Sequence, residues 1–375
     1  MKTIEEAREE IRKVDKEMAD LFVRRMEAVR DVARYKKERG LQIFDAKQEK
    51  KVLDQNSAYI DDTVLRQYYL MFMQDTMDVS KKYQERLISG ARVAFSGVPG
   101  AFAHTAAARI FPEGRYVPFQ SFDAAYLSVV EGECDYAVLP IENSYAGEVG
   151  QVIDLMFHGS LHVNGVYHFS VVHNLLGVPG ASIDDIRTVI SHPQALSQCQ
   201  PFIRQHYFRE ENEVNTAVAA KKVAEMGDKT IAAIASEETA ELYGLQILDH
   251  DINESKNNTT RFAVFARTKN EEIIDSDGST FIMLFRVNNV IGSLADSVQV
   301  ISRHGFNMSV LRSRPIKTTP WKYYFYVEVE GNPYSAEGKA MIDELKDHCD
   351  MLKIVGQYNR FQSVRTPKDG EDNDA

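Results

Sequence analysis

The sequence predicts a multidomain chain of α and α/β type. An all-α three-helix domain should occupy residues 1–89, a two-lobed α/β domain 90–268, and a C-terminal βαββαβ domain 279–365. Three observations predict this. Apolar residues recur at threes and fours through the first forty positions, with no Pro or Gly before Gly40. Beyond Gly90, short apolar runs alternate with helical runs. After a polar linker, Lys269 to Gly278, the order becomes strand, helix, strand, strand, helix, strand. Residues 366–375 read as a disordered acidic tail.

The chain has 375 residues, enough for several cores. Its net charge of −11 argues against nucleic acid and anionic membrane as partners. Cys134, Cys199 and Cys349 are scattered and form no CxxC pair. Together with a charged, helical N-terminus that does not read as a leader, they predict a cytoplasmic protein. Leu155 to Ile183 carries no Asp, Glu, Lys or Arg, but four glycines and short apolar runs make it a buried segment rather than a membrane span. Its histidines, His158, His162, His168 and His173, should fall on different elements, so no metal is expected. No cofactor is expected either, for the chain has no dinucleotide glycine fingerprint and no P-loop.

The first helix should run from Thr3 to about Arg39 on the stripe Ile4, Ala7, Ile11, Val14, Met18, Leu21, Phe22, Met26, Val29 and Val32. Thr3 and Glu6 form a capping box. Arg25 and Lys36 share a face, whereas Arg8 lies about 25 Å from Arg25 along the axis. Either these cations are ordinary solvated charges, or a second copy brings its Arg8 to this chain's Arg25 and Lys36. Asp45 and Glu49 open a second helical run, Asp45 to Tyr59. Ser80 and Gln84 lie near the end of a third, Asp62 to Leu87. Cations, a carboxylate and a neutral amide are what a hydroxylated dicarboxylate needs.

The pattern Arg8, Asp15, Arg25, Lys36, Asp45, Glu49, Ser80 and Gln84 resembles the all-helical chorismate mutases over nearly all of the first ninety residues. That resemblance implies a pericyclic rearrangement catalysed by holding a compact dianion and stabilising charge on its ether oxygen. Arg8 of a second copy, Arg25 and Ser80 would hold carboxylates, with Asp45 in the same site. Lys36 and Gln84 would donate to the ether oxygen, and Glu49 would take the substrate hydroxyl. The family's arginine just before this glutamate is Gln48 here, with Lys47 and Lys50 as nearby substitutes.

In the middle region, Ala91–Ser96, Tyr136–Ile141, Thr188–Ser191, Ile231–Ala235 and Phe262–Ala266 read as buried strands of a mainly parallel sheet. Helices are expected at Ala101–Ile110, Ser121–Glu131, Ala195–Tyr207, Thr216–Met226 and Glu237–Tyr243. Polar loops at strand ends carry the chemistry. Gly97-Val98-Pro99-Gly100 could present amides to an anion. The others are Pro140-Ile141-Glu142-Asn143-Ser144, Ser191-His192-Pro193-Gln194 with Gln198, and Asn258-Thr259-Thr260-Arg261-Phe262.

These loops, above all Thr260-Arg261-Phe262 and Pro140 to Ser144, resemble the prephenate dehydratases over roughly Ala91 to Arg267. The resemblance implies loss of a ring hydroxyl and carbon dioxide to give phenylpyruvate. Thr260 would serve the leaving hydroxyl, Asn143, Ser191 and Gln198 would position substrate, Arg261 would support the loop or a carboxylate, and Glu142 would supply the proton.

The last segment has the ferredoxin-like order and resembles the ACT regulatory domain. Gly292-Ser293-Leu294 and Arg312-Ser313-Arg314-Pro315 carry that resemblance. It implies a phenylalanine effector bound at a dimer interface through Gly292, Leu294, Asn307 and Ser313. The family's glutamate at the head of the second motif is Arg312 here.

The reading is a homodimeric or larger enzyme that takes chorismate through prephenate to phenylpyruvate in phenylalanine biosynthesis. The competing readings are a dehydratase, for prephenate or arogenate, whose helical domain serves only dimerisation, and a non-catalytic sensor of a small anion.

Overall fold

The computed structural model describes residues 3–270, 278–288, 290–362 and 364. The expected tail and most of the expected linker lie outside the described residues. The chain divides into two compact units, Met1–Ala91 with Glu113–Arg115, and Arg92–Pro112 with Tyr116–Ala375.

The first unit is three helices, Ile4–Glu38, Ala46–Ser57 and Thr63–Ser89. Each start is set locally. Thr3 and Glu6 form the expected capping box, and Asp45 and Asp62 each accept two amides of the first turn. Asp45 is therefore the cap of the second helix, not its first residue. Gly90 ends the third helix at φ +80, and a Cβ there would lie 1.8 Å from the Glu113 carbonyl oxygen, so only glycine fits. The long helix buries only Ala33. Ile4, Ile11, Val14, Met18, Leu21 and Phe22 stay 43–61 % exposed, so the N-terminal part of the predicted stripe finds no cover within its own unit.

The second unit contains two sheets. The larger has the order Asn307–Pro315, Tyr323–Glu330, Ser279–Val287, Cys349–Asn359, His162–Ser170, Thr259–Ala266, Tyr136–Asn143, Arg92–Ser96, Arg115–Phe119, with Gly147–Glu148 paired beside Tyr136–Asn143. The smaller has the order Gln246–Asp249, Asn174–Gly177, Ile231–Ala235, Thr188–Ser191, Arg209–Asn212. Neither is mainly parallel as expected. Thr259–Ala266 runs antiparallel to both neighbours, and so does Asn174–Gly177. The uncharged stretch hid two strands, His162–Ser170 and Asn174–Gly177, and the chain re-enters the first lobe in reverse along Thr259–Ala266. The helix expected at Ala195–Tyr207 is two, Pro193–Gln198 and Gln200–Gln205, divided at Cys199. Pro201 has no amide to continue the first helix.

Strand Ile231–Ala235 is apolar throughout because both its faces are covered. Ala233 and Ala235 pack with Ala219, Ala220 and Val223 of helix Thr216–Met226, while Ala232 and Ile234 pack with Leu196 and Ile203 on the other side.

The C-terminal strands and helices Ser293–Arg303 and Ala336–His348 follow the predicted βαββαβ order. Phe281, Met283 and Phe285 lie beneath the helices, against Val300, Ile301, Met341 and Leu345. Ile282 and Leu284, on the opposite face, join a core containing Val152, Ile153 and Met156 of helix Gly150–His158. The C-terminal strands are also spliced onto the strands of the first lobe in one sheet. Gly356 stands opposite Val163 in a parallel pairing, and a Cβ on Gly356 would lie 2.0 Å from the Val163 carbonyl oxygen.

Candidate active sites

In the helical unit a cavity of about 170 Å³ is lined by Arg25, Lys36, Asp45, Gln48, Glu49, Ser80, Lys81 and Gln84, among others. Six of the eight residues of the expected pattern line this cavity, and Arg8 and Asp15 do not: both are exposed and outside the lining. Arg25 donates to Ser80 Oγ, and burial pulls its pKa below the ordinary arginine value. Lys36 Nζ donates to the Ile43 carbonyl. The Gln84 Oε1 is buried without a hydrogen-bond partner among the described residues. Glu49 is held by Lys81, Nζ to Oε1 at 2.7 Å. The sequence reading did not include Lys81. Lys47 and Lys50, which it did include, are exposed and outside the lining.

The second unit has a larger cleft, of about 470 Å³. Thr260 lies across from Asn143 in strand register, and its Oγ1 accepts from Asn143 Nδ2 at 2.9 Å. A hydroxyl that accepts there keeps its own proton to donate elsewhere. Asn143 Nδ2 also reaches Asn258 Oδ1 at 2.9 Å, and Asn258 Nδ2 donates to Gln198 Oε1 at 3.0 Å. The same Gln198 oxygen faces His173 Nε2 at 2.9 Å. Because that oxygen only accepts, His173 must carry its proton on Nε2, leaving Nδ1 as a bare acceptor. Burial holds the His173 pKa below the ordinary histidine value, more than the Gln198 contact raises it. Gln198 Nε2 and His173 Nδ1 are both buried without a hydrogen-bond partner among the described residues. Such orphaned groups cost roughly 1–3 kcal/mol each unless a ligand uses them.

The charged lining of this cleft is Glu148; no Lys or Arg is among its lining residues. Besides the short helix Pro193–Gln198, the starts of four longer helices line it: Phe102–Ile110, Phe122–Val130, Gly150–His158 and Thr216–Met226 each contribute first-turn or capping residues. Their free amides and aligned dipoles favour an anion.

Three expected residues lie elsewhere. Ser191 is fully buried and donates to the Ile234 carbonyl at 2.6 Å, tying two strands together; His192 and Gln194 line the cleft in its place. Glu142 and Arg261 belong to strands rather than to loops at their ends, so the alternation that turns Asn143 and Thr260 into the cleft turns these two to the opposite face. Arg261 there binds Glu328 with two bonds, 2.9 and 2.7 Å, and Glu142 at 3.0 Å. Glu142 also meets Arg312, so both its oxygens face guanidinium groups. Burial alone would raise the Glu328 pKa, but Arg261, Tyr326 and Tyr358 together hold it below its ordinary value. The Gly97–Gly100 loop does not offer all its amides: Gly97 donates to the Phe119 carbonyl and Gly100 to His104 Nδ1.

In the C-terminal strands, Gly292 caps helix Ser293–Arg303 at φ +91, and Leu294 lies in its first turn. Asn307 and Ser313 are exposed on the outermost strand.

Residues 7–85 match the family model of chorismate mutase type II, and residues 93–270 match that of prephenate dehydratase. The bifunctional chorismate mutase/prephenate dehydratase of Enterobacter agglomerans is 30% identical over 366 residues, 94% of each chain. This chain belongs to that bifunctional family. An Arabidopsis thaliana chloroplastic arogenate dehydratase/prephenate dehydratase is 34% identical over 284 residues, 72% of either chain. Among solved structures, one described as a quorum-quenching acylase is 32% identical with a TM-score of 0.67, covering 74% of this chain and 99% of its own. The two units of this mutase–dehydratase each hold one candidate site, and among the described residues no helix is long and apolar enough to cross a membrane.

Lys81 was missed from sequence, His173 was considered only for a metal, and His192 and Asn258 stood in the quoted loops without a role of their own. His173 and Asn258 lie within segments already singled out, but only the fold brings them onto Gln198.

Proposed function

We propose that the chain converts chorismate to prephenate in its helical unit and prephenate to phenylpyruvate in its second unit, with the residues named here in each role. The first reaction breaks the ether C–O bond and forms a C–C bond, with no proton to move. Arg25 and Ser80 hold a carboxylate, and Arg8 of a second copy supplies the cation that one chain's own Arg8 cannot. Lys36 and Gln84 donate to the ether oxygen, Glu49 takes the hydroxyl, and Asp45 orients the helix that carries it. The uncovered apolar face of the first helix supports the second copy.

In the second reaction the ring C–O bond breaks, the hydroxyl taking up one solvent proton to leave as water. The C–C bond to the ring carboxylate breaks to release carbon dioxide and leaves its electron pair to make the ring aromatic. Thr260 donates to the departing oxygen, and Asn143 fixes its rotamer. Gln198 Nε2 donates to a substrate oxygen, and the four helix starts balance the carboxylates. Glu142 and Arg261 act behind the strand pair, holding it in register. The observation that carries this reading is the Thr260–Asn143–Asn258–Gln198–His173 chain, with an orphaned donor and acceptor in the cleft.

The C-terminal strands serve as an ACT-type effector module for phenylalanine, through Gly292, Leu294, Asn307 and Ser313, in a homodimer. Their order and the exposed outer strand support this.

The test supplies chorismate alone and follows its loss and the appearance of phenylpyruvate. Both should occur, and added phenylalanine should slow the second. Unchanged chorismate with prephenate still consumed would reduce the helical unit to a scaffold, while turnover of arogenate in preference to prephenate would reassign the substrate. Mixing inactive Arg8→Ala and Arg25→Ala chains should restore mutase activity if the sites are shared between copies.

A further inference from the structure

Position 48 of the mutase site carries an amide, Gln48, where the resemblance to the all-helical mutases implies an arginine. An amide can donate to a carboxylate but cannot balance its charge. The cavity supplies a cation from another direction. Lys81, on the third helix beside Ser80, lines it together with Gln48 and Glu49. Its Nζ lies 2.7 Å from Glu49 Oε1 and 2.8 Å from Asp78 Oδ1, and 5.2 Å above the Phe44 ring. Asp78 sits one turn back on the same helix and outside the lining, so it holds the ammonium from outside the cavity. The lysine is three-quarters buried, and its ammonium is held in place by two carboxylates and a ring. Among the lining side chains, Arg25, Lys36 and Lys81 stand against Asp45 and Glu49. Without Lys81 the lining would be neutral, a poor match for a substrate with two carboxylates.

We propose that Lys81 is the carboxylate-binding cation of the mutase site, reaching from the third helix to the place that position 48 leaves without charge, and that it steadies Glu49 for the substrate hydroxyl. The assignment rests on the mutase reading above.

The test uses the full-length protein and four chains: wild type, Lys81→Met, Lys81→Arg, and Gln48→Arg combined with Lys81→Met. Chorismate loss and prephenate conversion are measured separately, and far-UV circular dichroism checks the helices. Lys81→Met should lower mutase kcat/KM on the order of 10–100-fold, as expected for one charge-assisted contact, with KM rising more than kcat falls. Prephenate conversion should stay within about twofold. Lys81→Arg should retain most mutase activity, and Gln48→Arg should restore much of what Lys81→Met loses. A Lys81→Met chain within twofold of wild type in chorismate kcat/KM overturns the proposal. So does a loss that neither arginine repairs, which would mark Lys81 as structural. A wild type that consumes prephenate but not chorismate overturns the mutase reading itself and Lys81 with it.

Discussion

Glu328→Gln should be the most damaging single-atom change on the back of the dehydratase strands. Glu328 is 2 % exposed and takes two bonds from Arg261 and one each from Tyr326 and Tyr358. Removing one partner of a buried ion pair costs about 3–5 kcal/mol, because the other charge is left uncompensated. Arg261 keeps Glu142 at 3.0 Å, which places the loss near the lower end, about 3 kcal/mol. For a unit of this size each kcal/mol lowers Tm by about 2–4 °C, so scanning calorimetry should show a fall of roughly 6–12 °C. Replacing both partners by apolar residues, Glu328→Leu with Arg261→Met, should recover a good part of it, because a buried pair gains little over apolar groups of its size. The pH dependence has a fixed sign. The Glu328 carboxyl is held below its ordinary value of 4.5, so the difference between wild type and Glu328→Gln should be full above that pH. It should shrink as pH falls below 4.5 through the folded-state value. A Tm change under about 2 °C, or single losses that simply add in the double variant, would refute the reasoning.

Thr260→Val should lower prephenate conversion on the order of 100-fold or more while chorismate is still consumed, so that prephenate accumulates in the assay. His173 should make the second unit acid-sensitive: its folded-state pKa lies below the ordinary 6.5, so stability should fall as pH drops from 6.5 toward that lower value. Comparing the Tm of wild type and His173→Gln at pH 5.5 and 7 checks this, since the variant should lose less on acidification. Gly356→Ala should destabilise the second unit by about 1–3 kcal/mol in denaturant, because its methyl meets the Val163 carbonyl and not a movable side chain.

What the sequence made legible was local. Thr188–Ser191, Ile231–Ala235, Thr216–Met226 and Glu237–Tyr243 all stand where apolar runs, caps and glycine stops place them. The capping box at Thr3 and the cavity around Arg25, Lys36, Glu49, Ser80 and Gln84 belong to the same class, because helical spacing alone puts those side chains on facing surfaces. What was not legible depends on pairing. Glu142 and Asn143 are neighbours, and only the register with Arg261 and Thr260 decides which enters the cleft. Ser191 ends a strand, as a cleft residue would, yet its hydroxyl serves a neighbouring strand's carbonyl. Lys81 sits among ordinary helical charges until Glu49 is seen across from it. The shared sheet was hidden for the same reason: nothing near Gly356 in sequence mentions Val163.

That splice has a consequence for synthesis. Strand His162–Ser170 leaves the ribosome long before its outer neighbour, since Val163 waits for a residue about 190 positions later. At ordinary elongation rates that is roughly 10–40 s during which one side of the strand has no partner. Its backbone is later met again by the end of the chain, where His168 exchanges bonds with Gln362 and Val364. Until then the nascent dehydratase lobe carries an open edge of the kind that pairs with other chains. Ribosomes that stall or terminate before the final strand should therefore release an aggregation-prone fragment rather than an unregulated enzyme.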